Sequence, residues 1–333
     1  MAKPIVAVTM GDPAGVGPEV VVKALAHPEI ARACIPIVFG DLGVLERTQK
    51  KLHRRLPFDE WTPGDVWPDG IAVRSLSALT SAEAKPGVPS RACGEAVYGY
   101  VTQAAHAALA GSVDAIATAP LNKKVLHLAG HRYPGHTELL AEIAGARDVR
   151  MMLLGRKLKV VLVTVHLPLM RVARQLDTKK IRITLELTNT ALKRYFSRAR
   201  PRLAVAALNP HAGEEEIFGD EEKKIILPAV QAAQRRGVRA FGPFPADSLF
   251  YLAARGDYDA VVCMFHDQGL IPLKLMDFIG GTALTLGLPF VRTSVDHGTA
   301  YDIAGRNQAD ETSMKEAILL AARLARAAKR RRS

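Results

Sequence analysis

Short runs of apolar and β-branched residues recur along the chain at Ile5–Met10, Ile35–Phe39, Asp114–Ala119, Lys159–Val165, Arg202–Leu208 and Asp259–Phe265. Several are apolar throughout, as in strands covered on both faces. Between them lie stretches of helical length. Pro18–Ala26 opens with a proline, whose fixed φ and missing N–H suit a first helical turn. Glu95–Ala110 is rich in alanine, and Thr137–Ile143 follows a glycine, with Thr137 as a candidate N-cap. Lys179–Phe196 and Asp220–Arg236 carry apolar residues at every third or fourth position. The alternation predicts an α/β protein with a mostly parallel sheet and helices on both sides. Leu52–Pro89 breaks the pattern, being richer in Pro, Gly and Trp, and reads as an irregular excursion or an edge region. No internal repeat and no long flexible linker is evident, so two domains would be joined by structured crossings.

Composition narrows the class. The 333 residues suffice for two domains or one large α/β unit. With 48% hydrophobic and 23% charged residues, wholesale disorder is excluded. Cys34, Cys93 and Cys263 lie far apart without a CxxC pair, which argues against a disulfide scaffold and a thiolate zinc knuckle. No apolar run reaches the roughly 18–20 residues of a spanning helix. The opening Met1–Val8 enters a strand pattern without a signal-peptide core, so a cytoplasmic location with no membrane partner is expected. Of the net charge of +12, six cations sit at Arg323, Arg326, Lys329, Arg330, Arg331 and Arg332. No aromatic residues interleave with them for base stacking, so a solvated helix end is favoured over nucleic-acid binding.

The polar residues suited to chemistry follow the strands. His166 ends the run Val160–Val165, His211 follows Leu203–Leu208 in Asn209-Pro210-His211-Ala212-Gly213, and His266 follows Val261–Phe265 in His266-Asp267-Gln268-Gly269. In open α/β sheets ligands bind beyond the carboxyl ends of strands. A lone histidine there is more often a capping or packing residue, but three with one placement favour a divalent metal with open positions for water or substrate. Gly135-His136-Thr137-Glu138 opens a helix whose first amides, with His136, can hold an anion, or it is a simple capping sequence. Gly11-Asp12-Pro13-Ala14-Gly15-Val16-Gly17-Pro18-Glu19 invites a phosphate-loop reading but has neither Gly-Lys-Ser/Thr nor GxGxxG spacing. In Gly287–Gly305, Gly298 and Gly305 permit close backbone approach. His297 can stack on or bond a base, and Asp302 can accept ribose hydroxyls; a surface loop of turn residues is the plainer alternative.

Thr9–Glu19, Pro134-Gly135-His136-Thr137-Glu138, Asn209–Glu214, His266-Asp267-Gln268-Gly269 and Arg292–Ala300 together resemble the 4-hydroxythreonine-4-phosphate dehydrogenase (PdxA) family of pyridoxal phosphate synthesis. They occur in order from the first strand to about Gly305. The first and last also resemble loops of isocitrate and isopropylmalate dehydrogenases. That likeness implies a two-domain α/β/α fold of isocitrate/isopropylmalate dehydrogenase type, with a central mixed, mostly parallel sheet and an active-site cleft between the domains. The first domain would span 1–125 plus 285–333 with the cofactor loop, and the second 126–284 with metal, substrate and dimer-interface residues.

The resemblance implies metal ligation by His166, His211 and His266, with Zn, Mg or Co as the ion, in a homodimer whose subunits share the site. It implies substrate contacts from His136, Thr137, Lys274 and Arg292, and NAD or NADP at His297, Gly298, Thr299, Ala300 and Asp302. The expected reaction oxidises 4-phosphohydroxy-L-threonine to 2-amino-3-oxo-4-phosphooxybutanoate, a β-keto acid that decarboxylates to 3-amino-2-oxopropyl phosphate. The metal would act as Lewis acid on the substrate hydroxyl. Lys274 and Arg292 would neutralise carboxylate and phosphate. A metal-bound water, Lys274 and Asp267 are the candidates for acid–base work. One position departs: where the family places an Asn at the substrate, this chain has Ala283. Either Thr282, a backbone group or water replaces that amide, or the substrate is a sugar-acid phosphate such as D-threonate or D-erythronate 4-phosphate.

Overall fold

The computed structural model describes residues 2–277 and 281–330. In chain order the elements are β1 (Ile5–Thr9), α1 (Gly17–Leu25), α2 (Pro28–Ala33), β2 (Ile35–Gly40), α3 (Leu42–Lys51), β3 (Phe58–Glu60), β4 (Ile71–Ser75), α4 (Arg91–Leu109), β5 (Ala115–Thr118), α5 (Lys123–Leu128) and α6 (His136–Ile143). There follow β6 (Arg150–Leu154), β7 (Lys159–Leu162), α7 (Leu169–Gln175), α8 (Thr178–Tyr195), β8 (Leu203–Ala206), α9 (Leu227–Arg235), β9 (Ala240–Phe244), α10 (Ala246–Ala254), β10 (Ala260–Cys263) and α11 (His266–Met276). The chain ends with β11 (Thr282–Leu286), β12 (Val291–Val295) and α12 (Thr312–Arg330). Each of the six apolar runs contains a strand, and the α/β class expected from their alternation is what the structure has.

Two compact units divide the chain. The first joins Met1–Arg147 to Leu288–Arg326, and the second is Asp148–Gly287 with the chain from Ala327 onward. The expected domain limits lay at 125/126 and 284/285. Helix α6, which carries His136 and Thr137, falls in the first unit, where it packs on α4.

In the first unit the strands run β3-β4-β2-β1-β5-β12, every neighbouring pair parallel. β1 and β5 are almost wholly buried, which explains their unbroken apolar runs. The stretch 52–89 supplies β3 at the edge of this sheet, with β4 beside it. In the second unit the order is β11-β6-β7-β10-β8-β9. β11–β6 and β6–β7 are antiparallel, and the other pairs are parallel. The pairing is thus mixed and mostly parallel. Leu162, Val160, Val261 and Cys263 from the central strands meet Leu249 and Ala253 of α10 and Leu270 and Leu273 of α11 in one core cluster. A Cβ on Gly269 would stand 3.1 Å from both Cys263 Sγ and Leu162 Cδ2, so glycine lets α11 close on β7 and β10.

Two local expectations need correction. The N-cap of α6 is Gly135, not Thr137, and no side chain caps that helix. Asp220–Arg236 is not one regular helix: a π-helical turn, Glu222–Ile226, precedes α9. Pro228 explains this, because it has no N–H to donate to the preceding turn. Of the basic tail, Arg323, Lys329 and Arg330 are exposed on α12 and Arg326 donates to the Ala33 carbonyl. Arg331 and Arg332 lie outside the described residues.

Asp41 fixes the turn between β2 and α3. Its Oδ1 caps α3 at the Val44 N–H (2.9 Å), and its Oδ2 accepts from the Ser77 hydroxyl and the Leu79 N–H, both at 2.7 Å. The side chain is 1% exposed, so its removal strands buried donors. Asp41→Ala is therefore expected to destabilise the chain by about 2–3 kcal/mol, seen as a lowered midpoint in urea.

Candidate functional site

The carboxyl ends of β7, β10 and β8 emerge side by side in the second unit, because β10 pairs in parallel with both neighbours. His166 follows β7, His266 opens α11 after β10, and His211 follows β8. The His166 and His266 ring centres are 5.8 Å apart. Two imidazoles on one ion with N–metal bonds of roughly 2.1 Å would put their ring centres about 5 Å apart, so this pair is spaced close to a ligand pair. The Asp267 carboxylate lies 2.7 Å from His266 Nδ1, which leaves Nε2 as the ring nitrogen for an ion. Carboxylate-oriented histidines of this kind are usual in metal sites. Asp267 itself is exposed.

His211 is not drawn into that pair. It sits in a 3-10 turn, Pro210–Gly213, with φ 51°, and its ring centre is 6.2 Å from that of Phe218. Among the described residues no three His, Cys, Asp or Glu side chains stand close enough to form a ready cage. The donor set nonetheless suits a borderline divalent ion, since all three imidazoles are carried by adjacent strand ends. Lys274 is half-buried in the last turn of α11, and Ala283 is 5% exposed in β11, opposite Leu153. Gly280, in the segment leading to it, lies outside the described residues.

Polar residues that the sequence did not single out hold these strand ends. Thr164 donates its N–H and its hydroxyl (2.7 Å) to the Met264 carbonyl. The Met264 N–H donates to Gln268 Oε1 at 2.7 Å, and Gln268 Nε2 donates to the Ala207 carbonyl at 2.6 Å. Glu222, 6% exposed, accepts from the N–H groups of Leu208 and Asn209 and from Asn209 Nδ2. That carboxylate anchors the base of a loop in which His211, Ala212, Glu214, Glu215 and Glu216 all take left-handed backbone angles. Only the neighbourhood of Gln268 to His266 and the position of Glu222 at a helix start were visible beforehand, and neither is a distinctive signal.

In the first unit, Arg292 of β12 is 4% exposed and donates from Nη2 to Thr118 Oγ1 at 2.7 Å. Burial pushes the guanidinium down to about 10, with the Glu138 carboxylate acting in the opposite sense. His136 opens α6, and its Nε2 is buried without a hydrogen-bond partner. Burial, and next the charge of Arg292, hold this imidazole well below the usual histidine range, so it is neutral at pH 7. Thr137 stands beside it, half-buried. A cationic fork, a neutral ring nitrogen and uncapped helix amides together suit an oxyanion.

The two glycine-bearing loops of this unit lock together. The Val16 N–H donates to the Thr299 carbonyl at 2.9 Å, and a Cβ on Gly15 would stand 2.9 Å from that same oxygen. Asp12 accepts from the Tyr301 hydroxyl at 2.5 Å and from the Ala14 N–H at 2.9 Å. Burial raises the Asp12 carboxyl pKa against those two bonds, and burial and the Asp12 charge raise that of Tyr301. His297, Gly298 and Asp302 are exposed on the loop, Thr299 is buried under it and Ala300 is half-buried with φ 39°. A cavity of about 470 Å³ opens beside Gly15, Gly305 and Asn307, with Arg47, Lys50 and Lys51 on its lining.

Residues 32–321 match the family model described as pyridoxal phosphate biosynthetic protein PdxA. A 4-hydroxythreonine-4-phosphate dehydrogenase of Geobacter metallireducens is 50% identical over 327 residues, covering 97% of this chain and 96% of that one. A D-threonate 4-phosphate dehydrogenase of Salmonella typhimurium is 45% identical, covering 96% and 98%. The crystal structure of 4-hydroxythreonine-4-phosphate dehydrogenase from Klebsiella pneumoniae superposes with a TM-score of 0.88 at 42% identity, covering 97% of this chain and 99% of that one. Match and coverage along nearly the whole length leave one conclusion: the chain belongs to the PdxA family and is an oxidoreductase.

Proposed function

We propose that the chain catalyses the NAD(P)- and divalent-metal-dependent oxidation of 4-phosphohydroxy-L-threonine to 2-amino-3-oxo-4-phosphooxybutanoate, which loses CO2 to give 3-amino-2-oxopropyl phosphate. The observation that carries this reading is the delivery of His166, His266 and His211 by three adjacent parallel strand ends. These imidazoles would hold Zn, Mg or Co, and Asp267 would fix the tautomer of His266. When bound, the ion supplies Lewis-acid polarisation and the nicotinamide takes up the hydride.

The side chains have separable roles. Arg292, held by Thr118, offers its fork to the phosphate or carboxylate, and neutral His136 adds a hydrogen bond through Nε2. Thr137 sits at the same helix start, and Lys274 supplies a second cation. Lys274 or Asp267 moves the proton of the oxidised hydroxyl. His297–Ala300 and Asp302 take the cofactor, their loop held by Asp12 and Tyr301. A second copy of the chain completes the metal site. Met170, 89% exposed shortly after His166, and Leu275, 86% exposed on α11, are apolar side chains that such a copy would cover.

Ala283 favours a second reading, oxidation of D-threonate or D-erythronate 4-phosphate. A methyl group stands in β11 where the family's amide would meet the substrate, and the Salmonella typhimurium relative is named for such a substrate. Measuring reduced nicotinamide at 340 nm for each phosphorylated acid, with NAD and with NADP, decides between them. Turnover of neither class would overturn the reading.

Chelation should abolish that turnover. His211→Ala should lose most bound metal by elemental analysis and at least about 100-fold in kcat/KM, with an unchanged circular dichroism spectrum. Arg292→Lys keeps a charge but loses the fork, and KM for the phosphorylated acid should rise roughly 10–100-fold. The depressed pKa of His136 has a stability consequence. The unfolded chain takes up a proton near pH 6.5 while the folded chain resists it, so stability falls as pH drops below about 6.5. His136→Gln should flatten that part of the Tm–pH curve relative to the parent.

A further inference from the structure

The segment Gly11–Glu19 has the glycines of a phosphate loop, but its amides are taken. The Asp12 N–H donates to the Pro120 carbonyl (2.9 Å), that of Ala14 to Asp12 Oδ1 (2.9 Å), that of Gly15 to the Asp12 carbonyl (3.0 Å) and that of Val16 to the Thr299 carbonyl (2.9 Å). Pro13 has none. From Asp12 to Val16 no N–H is left to cradle a phosphate. What this part of the chain does hold is another stretch, residues 299–309. Val16 holds the Thr299 carbonyl, Asp12 holds the Tyr301 hydroxyl, and Glu19 with Lys23 of α1 holds Ala309. In that last contact the Ala309 N–H donates to Glu19 Oε1 at 3.1 Å, Lys23 Nζ donates to the Ala309 carbonyl at 2.8 Å, and the two side chains pair at 2.9 Å. The ion pair thus engages both main-chain groups of one residue, as a paired strand residue would. Glu19 is buried and its Oε2 has no hydrogen-bond partner. A buried ion pair with one carboxylate oxygen unpartnered is a poor device for stability alone. At the head of the stretch it holds, His297, Gly298 and Asp302 are exposed. Nothing stands within 4 Å of where a Cβ on Gly298 would lie, which leaves room for a ligand against the backbone.

We propose that Glu19 and Lys23 are positioning residues of the cofactor site, their grip on Ala309 setting the path of the loop 297–309 so that His297–Ala300 and Asp302 meet a nicotinamide dinucleotide. They act through the backbone of Ala309. The glycine-bearing segment before them is the bed on which that loop lies, and it takes no phosphate itself. This rests on the assignment of His297–Ala300 and Asp302 to the cofactor.

The test uses the full-length chain, titrated with NADH and with NADPH by nicotinamide fluorescence and by calorimetry. The double variant Glu19→Met, Lys23→Met keeps both side-chain lengths, removes both bonds to Ala309 and leaves no buried charge unpaired. Lys23→Met alone removes the bond to the carbonyl and serves if the double variant folds poorly. Both should raise the dissociation constant of the reduced cofactor about 10-fold, and the KM of the oxidised cofactor with it. The KM of the phosphorylated acid should stay at the parent value, and the melting temperature should fall by only a few degrees. Parent-like cofactor affinity in both variants, whatever the melting temperature, would make the pair a structural brace and overturn the proposal. An equal rise in the KM of the acid would show general loosening and overturn it too. Asp302→Ala run in parallel separates the two claims. If it weakens cofactor binding while the Glu19 and Lys23 variants do not, only this inference fails; if it binds as the parent does, the cofactor-loop reading fails and takes this one with it.

Discussion

Parallel pairing of β7, β10 and β8 is the constraint that brings the three strand-end histidines of the second unit to one edge. Parallel neighbours end at the same edge, so residues placed just beyond each strand become neighbours in space however far apart they are in sequence. An antiparallel β10 would have sent His266 to the opposite edge from His166. The same unit contains antiparallel pairs, β11–β6 and β6–β7, but they lie on the side of β7 away from β8 and leave the histidine-bearing edge undisturbed. The apolar runs of β8 and β10 agree with this arrangement, because the crossovers that join parallel strands cover both faces of the sheet.

The strand runs were legible from their shortness and β-branched content, since continuous apolar runs of five to seven residues are too short for a buried helix. Asp259–Phe265 announced β10 and, by its end, the position of His266. What could not be read was how strand ends are held once the backbone ladder stops. Gln268 and Thr164 act through hydrogen bonds to main-chain groups, and such bonds leave no periodicity in the sequence. Glu222 is the clearer case: a carboxylate near the start of a helical stretch suggests an exposed, dipole-favoured position, yet it is buried and reaches back to Leu208 and Asn209. The misplaced cap of α6 has a similar cause, since Gly135 and Thr137 both suit helix starts and only the backbone path separates them. His211 shows the remaining gap. Its strand was evident, but the left-handed run from His211 to Glu216 has a glycine at only one position, Gly213, so composition gave no warning of it.

The first unit depends on a different device, a cation kept out of water. Burial, only partly offset by the Glu138 carboxylate, lowers the Arg292 guanidinium from its ordinary 12.5 to about 10, so the charged form is disfavoured in the folded chain. That cost makes no sense as a contribution to stability, since a well-packed apolar side chain at the same place in β12 would avoid it. It makes sense if an anion returns the lost interaction, and more so because the adjacent His136 is held neutral, presenting a ring nitrogen without adding a competing charge. The two units thus divide the electrostatic work. One carries nitrogen donors on exposed strand ends, where a hydrated cation can reach them. The other sinks its charge where an oxyanion, once bound, meets little competition from solvent. Side chains exposed at strand ends are not fixed by packing, and in the second unit the backbone beneath them is held by side-chain bonds such as those of Gln268, while the first unit relies on burial in β5 and β12.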